Sequence, residues 1–175
     1  MRKIIFSFVF LLIAGVVFAQ EFTFRGLPWG STVEQIIAKE GKPDSNTDGL
    51  LIYQNKIIAG YNAMLSFSCS PPRSDIYSKK IGLMAAKYAI SVTKADAESV
   101  YFDLLNKLSA LYGKSTFGSK PNIAFLDRDN YWIVSKTKIT ITLIYDFNIG
   151  NSKKGTFVFV SYDSPDWFTN EFGDL

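Results

Sequence analysis

The sequence predicts an α+β fold: an antiparallel sheet with helices packed on one face, arranged as a tandem duplication of a helix-strand-strand-strand unit. Three observations predict it. Two segments carry apolar residues at three- and four-residue intervals, several others alternate with a period of two, and short motifs recur at offsets of 72 and 74 residues. The first period marks the apolar stripe of a helix, and the second marks a strand with one buried face.

The first helix is announced by "GLPWGSTVEQIIAKEGKP", residues 26–43. Ser31 with Glu34, and Thr32 with Gln35, both have the spacing of a capping box. Val33, Ile36 and Ile37 supply the stripe, Gly41 the stop, and Pro43 prevents continuation. The glycines of this stretch also allow a loop that grips an anion at the helix start. That chemistry wants a Gly-rich loop delivering Lys, and no Lys adjoins Gly30, so a tight turn shaped by Pro28 and Trp29 is the expected reading.

The second helix starts near Thr93 and Asp96. It runs through Ala97, Val100, Tyr101, Leu104, Leu105, Leu108, Leu111 and Tyr112 to Gly113. In "KITITLIYDF", Ile139, Ile141, Leu143, Tyr145 and Phe147 are expected on one face, with Lys138, Thr140, Thr142 and Asp146 on the other. "GTFVFVSY" is apolar on both faces, which predicts a central strand. "LLIY", "YNAMLSFSC" and "YWIVS" read as further strands. "PDSNTDG", "SPPRSD", "LDRDNY" and "NIGNSKKG" read as turns.

The duplication rests on Gly41-Lys42 against Gly113-Lys114, Val33 and Ile36 against Leu105 and Leu108, and Lys79-Lys80 with Tyr88 against Lys153-Lys154 with Tyr162. A chance match of small motifs is the competing reading. The repeat makes "KKIGLMAAKY" a strand despite its helical composition. The halves are about 24–92 and 93–163, followed by a tail, 164–175, that starts Ser164-Pro165 like a short docking helix.

Arg2 and Lys3 precede an apolar run from Ile4 to Phe18 that ends in small and β-branched residues, the pattern of a secretory signal peptide over residues 1–19. The run is shorter than the roughly 20 residues of a membrane span. An uncleaved anchor is the alternative. The mature chain, 20–175, is then a single exported α+β domain, periplasmic or secreted. Cys69 is the one cysteine, which excludes an internal disulfide and leaves no Cys at the cut for a lipid anchor. In phase with Leu65 and Phe67, it is expected to be buried and inert. Without Arg2 and Lys3, the 19 basic residues become 17 against 16 acidic ones. A near-neutral exported chain lacks the electrostatic footprint of nucleic-acid binding.

Gly30, Thr32, Gln35, Ile36, Gly41 and Pro43 follow the Gly-x-Thr-x-x-Gln-Val…Gly-x-Pro pattern of small outer-membrane assembly proteins, so this stretch resembles the BamE (SmpA/OmlA) family. The duplicated plan is similar to the β-lactamase-inhibitor-protein architecture. The resemblance implies helices on an antiparallel sheet and a role in binding other proteins. The chain departs from that family in having no lipid-attachment Cys and one helix per half.

No histidine is present, which removes His-based catalytic triads and the usual zinc ligand. Asp127 and Asp129 open like a calcium loop, but the mid-loop Gly and the closing Glu are missing. We therefore expect no catalytic residues, cofactor or metal. Lys136 and Lys138, read as projecting from one strand face, together with Lys153-Lys154 form either a solvated edge or a patch for anionic lipid. The expected function is a soluble exported, non-catalytic protein-binding module of the cell envelope, with Trp29, Tyr131, Trp132, Trp167 and Phe168 as interface candidates. The alternative is a carrier of a lipid or small apolar ligand. An enzyme working through carboxylates with Tyr or Lys is a third reading.

Overall fold

The computed structural model describes residues 22–69, 82–117, 126–148 and 154–165. The signal-peptide segment, "SPPRSD", Lys153 and the tail residues Trp167 and Phe168 lie outside the described residues. What is described is a mixed α+β fold with two helices and a large antiparallel sheet.

The chain opens with a hairpin of β1 (Thr23–Phe24) and β2 (Leu27–Pro28), then α1 (Val33–Glu40). Four strands follow: β3 (Ser45–Thr47), β4 (Leu50–Ile58), β5 (Tyr61–Ser68) and β6 (Ala85–Val92). Helix α2 (Ala97–Tyr112) precedes four more: β7 (Thr116–Phe117), β8 (Leu126–Val134), β9 (Thr137–Asn148) and β10 (Lys154–Asp163). The eight-stranded sheet has the order β3-β4-β5-β6-β10-β9-β8-β7. The last strand of each series thus meets the other at the centre, with Ala89 opposite Phe159.

Thr32 is the N-cap of α1. Its hydroxyl accepts the N–H of Gln35 at 3.3 Å, while the Gln35 side chain accepts the N–H of Thr32 at 2.8 Å. A cap of this kind contributes about 1 kcal/mol. Ser31, the other capping candidate, is buried instead and donates to the Pro28 carbonyl at 2.6 Å. Eight residues are too few for a free-standing helix, so burial of Ile36 holds α1 in place. In α2 the stripe Ala97, Val100, Tyr101, Leu104 and Leu108 is buried as expected. Leu111 is 73% exposed and falls outside the stripe, whereas Tyr112, the last residue of the helix, still packs on the core with its ring 6.4 Å from Trp132.

Alternation sorts the strands by face. Leu51 and Tyr53 of β4, Leu65 and Phe67 of β5, Ala86, Tyr88 and Ile90 of β6, Val158, Val160 and Tyr162 of β10, Ile139, Ile141 and Leu143 of β9, and Trp132 of β8 share one register and are all buried. The other elements touch this face: Phe24 packs on Phe67, Tyr88 and Tyr162, Tyr53 donates to the Gly41 carbonyl, and Tyr101 donates to Asn130 at 2.7 Å.

Several local expectations are corrected. "PDSNTDG" contains the edge strand β3, its turn being confined to Asp48-Gly49, where both φ angles are positive. "LDRDNY" lies within β8 rather than in a turn, since pairing with β9 overrides the weak strand preference of Asp and Asn. Lys136 sits in the two-residue turn Ser135-Lys136, not on a strand. "KKIGLMAAKY" is strand as expected, from Ala85 onward, where pairing with β5 and β10 overrides its helical composition. Asp146, at φ 53°, shifts the β9–β10 register, so Phe147 leaves the face of Leu143 for the opposite one.

Gly26 to Ser31 reads as a structural turn. Gly30 donates to the Leu83 carbonyl at 2.8 Å and Leu83 donates to the Ser31 carbonyl at 2.7 Å. A Cβ at Gly82 would collide with the backbone of Gly30, so glycine at 82 lets these segments touch, while Gly30 supplies the turn's φ of 86°.

Candidate functional site

The opposite face of the sheet can be laid out row by row from the strand registers. One row, from β4 to β8, reads Leu50, Ser68, Ala85, Asp163, Lys138, Ile133. The next reads Ile52, Ser66, Lys87, Ser161, Thr140, Tyr131. Above them come Met64, Ala89, Phe159 and Thr142, and then Ser91, Phe157 and Ile144. Polar and charged residues therefore collect toward one end of the strands and apolar ones toward the other.

The apolar end is dominated by a three-ring ridge. Phe157 and Phe159 stack with centroids 5.6 Å apart, and Phe147 meets them edge-on at 5.9 and 5.7 Å. These are the offset and edge geometries that the aromatic quadrupole favours. The ridge forms because β10 carries aromatics on this face and the Asp146 irregularity returns Phe147 to it. Phe147 is 40% exposed, and Ile57 and Ile133, on the same face, are 57% and 56% exposed.

The polar end holds a cleft of about 290 Å³ lined by Leu50, Ser66, Ser68, Lys87, Ser161 and Asp163 over the alanines of β6. Lys87 Nζ stands 5.6 Å from the Phe159 ring centroid, at the junction of cleft and ridge.

The sequence-selected aromatics do not form one surface. Trp132 is 4% exposed on the buried face, its indole N–H donating to the Gly113 carbonyl at 2.8 Å, so it is a core residue rather than an interface residue. Its neighbour Tyr131 points the other way, half-buried beneath Lys138 Nζ at 5.6 Å. Trp29 is half-buried, stacks on Phe22 and donates to Thr137 at 2.8 Å, tying the N-terminal turn to β9. Neither the ridge nor Lys87 is among the interface candidates the sequence offers. Two-sided apolarity in "GTFVFVSY" was the available signal for Phe157 and Phe159; Phe147 carried none.

The titratable groups are mostly held by partners. Glu40 is buried, which opposes its charge, but hydrogen bonds from Arg25 and Lys56 outweigh this and hold its carboxyl below the usual range. Asp103 is lowered by Lys107 and Tyr61, and Asp146 by Lys94. Asp129 is raised by burial. Burial pushes the Cys69 thiol up to about 11. Among the described residues no three His, Cys, Asp or Glu side chains converge as a metal site. Lys138 lies near the start of β9 and Lys154, on β10, pairs with Asn148 at its end, ten residues or roughly 33 Å along the strand, so they do not make one cationic patch. No helix among the described residues is long and apolar enough to cross a membrane.

A scan of the chain against family models found no match, and no curated protein matches it. Among solved structures the chain is similar to a DUF4309 family protein, YjgB, from Bacillus subtilis. That match has 14% identity and a TM-score of 0.39, over 74% of this chain and 77% of the other.

Proposed function

We propose that the protein is an exported, periplasmic or secreted, non-catalytic binding module that engages a protein partner in the cell envelope through the face carrying the Phe147–Phe157–Phe159 ridge. The ridge is the observation that carries this reading. A contiguous apolar patch left open on a small domain marks a contact surface, and aromatic rings are the side chains that dominate contact energetics. Export rests on the basic-then-apolar N-terminal sequence. The tight filling of the opposite face by fully buried side chains, Leu65, Phe67, Ile139, Ile141 and Val160 among them, favours a binding surface over a lipid-carrying cavity.

The duplicated origin belongs to the same proposal. Each helix is followed by four strands rather than the expected three, the short edge strands β3 and β7 being the additions, the sheet order mirrors about the β6–β10 seam, and Gly41 and Gly113 close the helices at φ 88° and 86°. The β4–β5 and β8–β9 hairpins both turn on two residues of positive φ, Ala59-Gly60 and Ser135-Lys136. An ancestral dimer of such units would present one continuous face.

The test is cross-linked recovery of partners from envelope extract of the protein's own host, comparing wild type with the double substitution Ile57→Ser and Phe147→Ser. Both side chains are well exposed, so the melting temperature should move little while one specific protein is recovered at least about tenfold less. Equal recovery by both forms would sink the reading. A lipid adduct in native mass spectrometry would favour the carrier instead.

A further inference from the structure

On the open face, β6 carries Ala85, Lys87 and Ala89, one long cation between two methyl groups. Its neighbours are equally small, with Ser66 and Ser68 on β5 and Ser161 on β10. This ring of short side chains around Lys87 is what opens the cleft. Among the described residues, Lys87 has no ion-pair partner and no side-chain hydrogen bond, and its only close contact of this kind is the Phe159 ring. Ser66 donates weakly to the Lys87 carbonyl at 3.4 Å, while the Ser68 and Ser161 hydroxyls have no side-chain partner among the described residues.

An ammonium and two hydroxyls with unused donors thus face one concavity, with an aromatic ring on one flank. Each unmade hydrogen bond to a charged group is worth more than a neutral one once water is displaced. We infer that the cleft receives a carboxylate side chain of a protein partner, flanked in the partner's sequence by an apolar residue that lies on the Phe157–Phe159 ridge. This rests on the reading of the face as a protein-binding surface, and adds to it the chemistry of the segment bound. The carboxylate would take the Lys87 ammonium and the Ser161 hydroxyl, which lies opposite it on β10, while its apolar neighbour covers the rings. The junction at Lys87 forces the two features to be adjacent.

The probe is the peptide acetyl-Phe-Glu-Phe-amide, titrated into the ¹⁵N-labelled protein beside its acetyl-Phe-Gln-Phe-amide counterpart and sodium acetate. The acidic peptide should move the Ser66, Lys87 and Ser161 amides saturably, with the Gln peptide about two- to fivefold weaker. Lys87→Met should reduce the acidic peptide to the level of the Gln peptide, whereas Lys87→Arg should retain most of the preference. Equal affinity for both peptides, or an unaltered preference in Lys87→Met, would overturn the inference, even if Phe157 and Phe159 still respond. That result would leave the ridge as a contact surface intact. Acetate binding as tightly as the acidic peptide would replace the assignment with a free-anion site. No response anywhere on the face would also overturn it, and partner recovery with the Ile57 and Phe147 substitutions would judge the broader reading separately.

Discussion

Glu40 closes α1 with its side chain only 3% exposed, and it is gripped from two sides. Arg25 reaches it in a fork, with Nε 2.6 Å from Oε1 and Nη2 3.1 Å from Oε2, and Lys56 Nζ stands 3.2 Å from Oε2. The same guanidinium donates to the Tyr88 hydroxyl at 3.2 Å, so one carboxylate joins the N-terminal hairpin, α1, β4 and β6. Glu40→Gln keeps the shape and leaves two cations converging on a neutral amide. Breaking a fully buried pair from one side costs about 3–5 kcal/mol. Here Arg25 and Lys56 are 38% and 25% exposed, so water relaxes part of that penalty, and about 2 kcal/mol is expected. In a domain of this size each kcal/mol moves the midpoint by about 2–4 °C, which gives a loss of about 4–8 °C at pH 7. Because the folded-state pKa of Glu40 is lowered, its contribution is present above the unfolded value of about 4.3 and is lost as pH falls through the folded value. The gap between wild type and Glu40→Gln should therefore be full at pH 7 and narrow below about pH 4. Thermal melts followed by circular dichroism at pH 7 and pH 3 measure it. A gap of the same size at both values, or none at pH 7, would refute the assignment of this stability to the charge.

Trp132→Ala should cost about 3–5 kcal/mol in urea unfolding, since it empties a core position and orphans the Gly113 carbonyl, while Tyr131→Ala, one residue away on the open face, should cost under about 1 kcal/mol. Ile36→Ala should lose about 2–4 kcal/mol because α1 has a single fully buried anchor, whereas Leu111→Ala should stay within about 0.5 kcal/mol. Cys69, with its thiol raised to about 11 and buried, should resist iodoacetamide at pH 8 in the native protein and react completely in urea. Rapid labelling of the folded protein would show that the β5 end is open.

The two helices and most of the strands were legible because their signals are local. A capping box at Thr32, a glycine after each helix and a clean period of two in β9 are each written within a few residues. Other features depend on partners distant in sequence. Only Thr47 in Ser45–Thr47 favours a strand; the segment is one because β4 offers it an edge. Tyr131 and Trp132 are equally aromatic, and only the register with Thr140 and Ile139 decides which ring is buried, since a slip of one residue exchanges them. Phe147 was assigned to the core face by alternation, and Asp146, whose short polar side chain tolerates positive φ, breaks that count. The candidate site was the least legible part, because it exists only where five strands bring their alternate residues together.

Within that site β6 is the instructive element. "AAKYAISV" sits beside the seam of the sheet, where β-branched and aromatic residues pack best, yet toward the open face it offers two alanines and a lysine. Toward the core the same strand follows the rule, burying Tyr88 and Ile90. Stability alone would fill both sides of a central strand, and β10, its partner, does carry Phe157 and Phe159 toward the open face. A conflict between local preference and position, confined to one face, is where a sequence answers to something other than folding. Restoring the preference is therefore informative. Ala85→Val should fill the depression beside Lys87 and abolish the preference for the acidic peptide, at a cost of about 1–3 kcal/mol because Ala85 is already buried. If the filled variant kept that preference, the small residues of β6 would need a purely structural explanation.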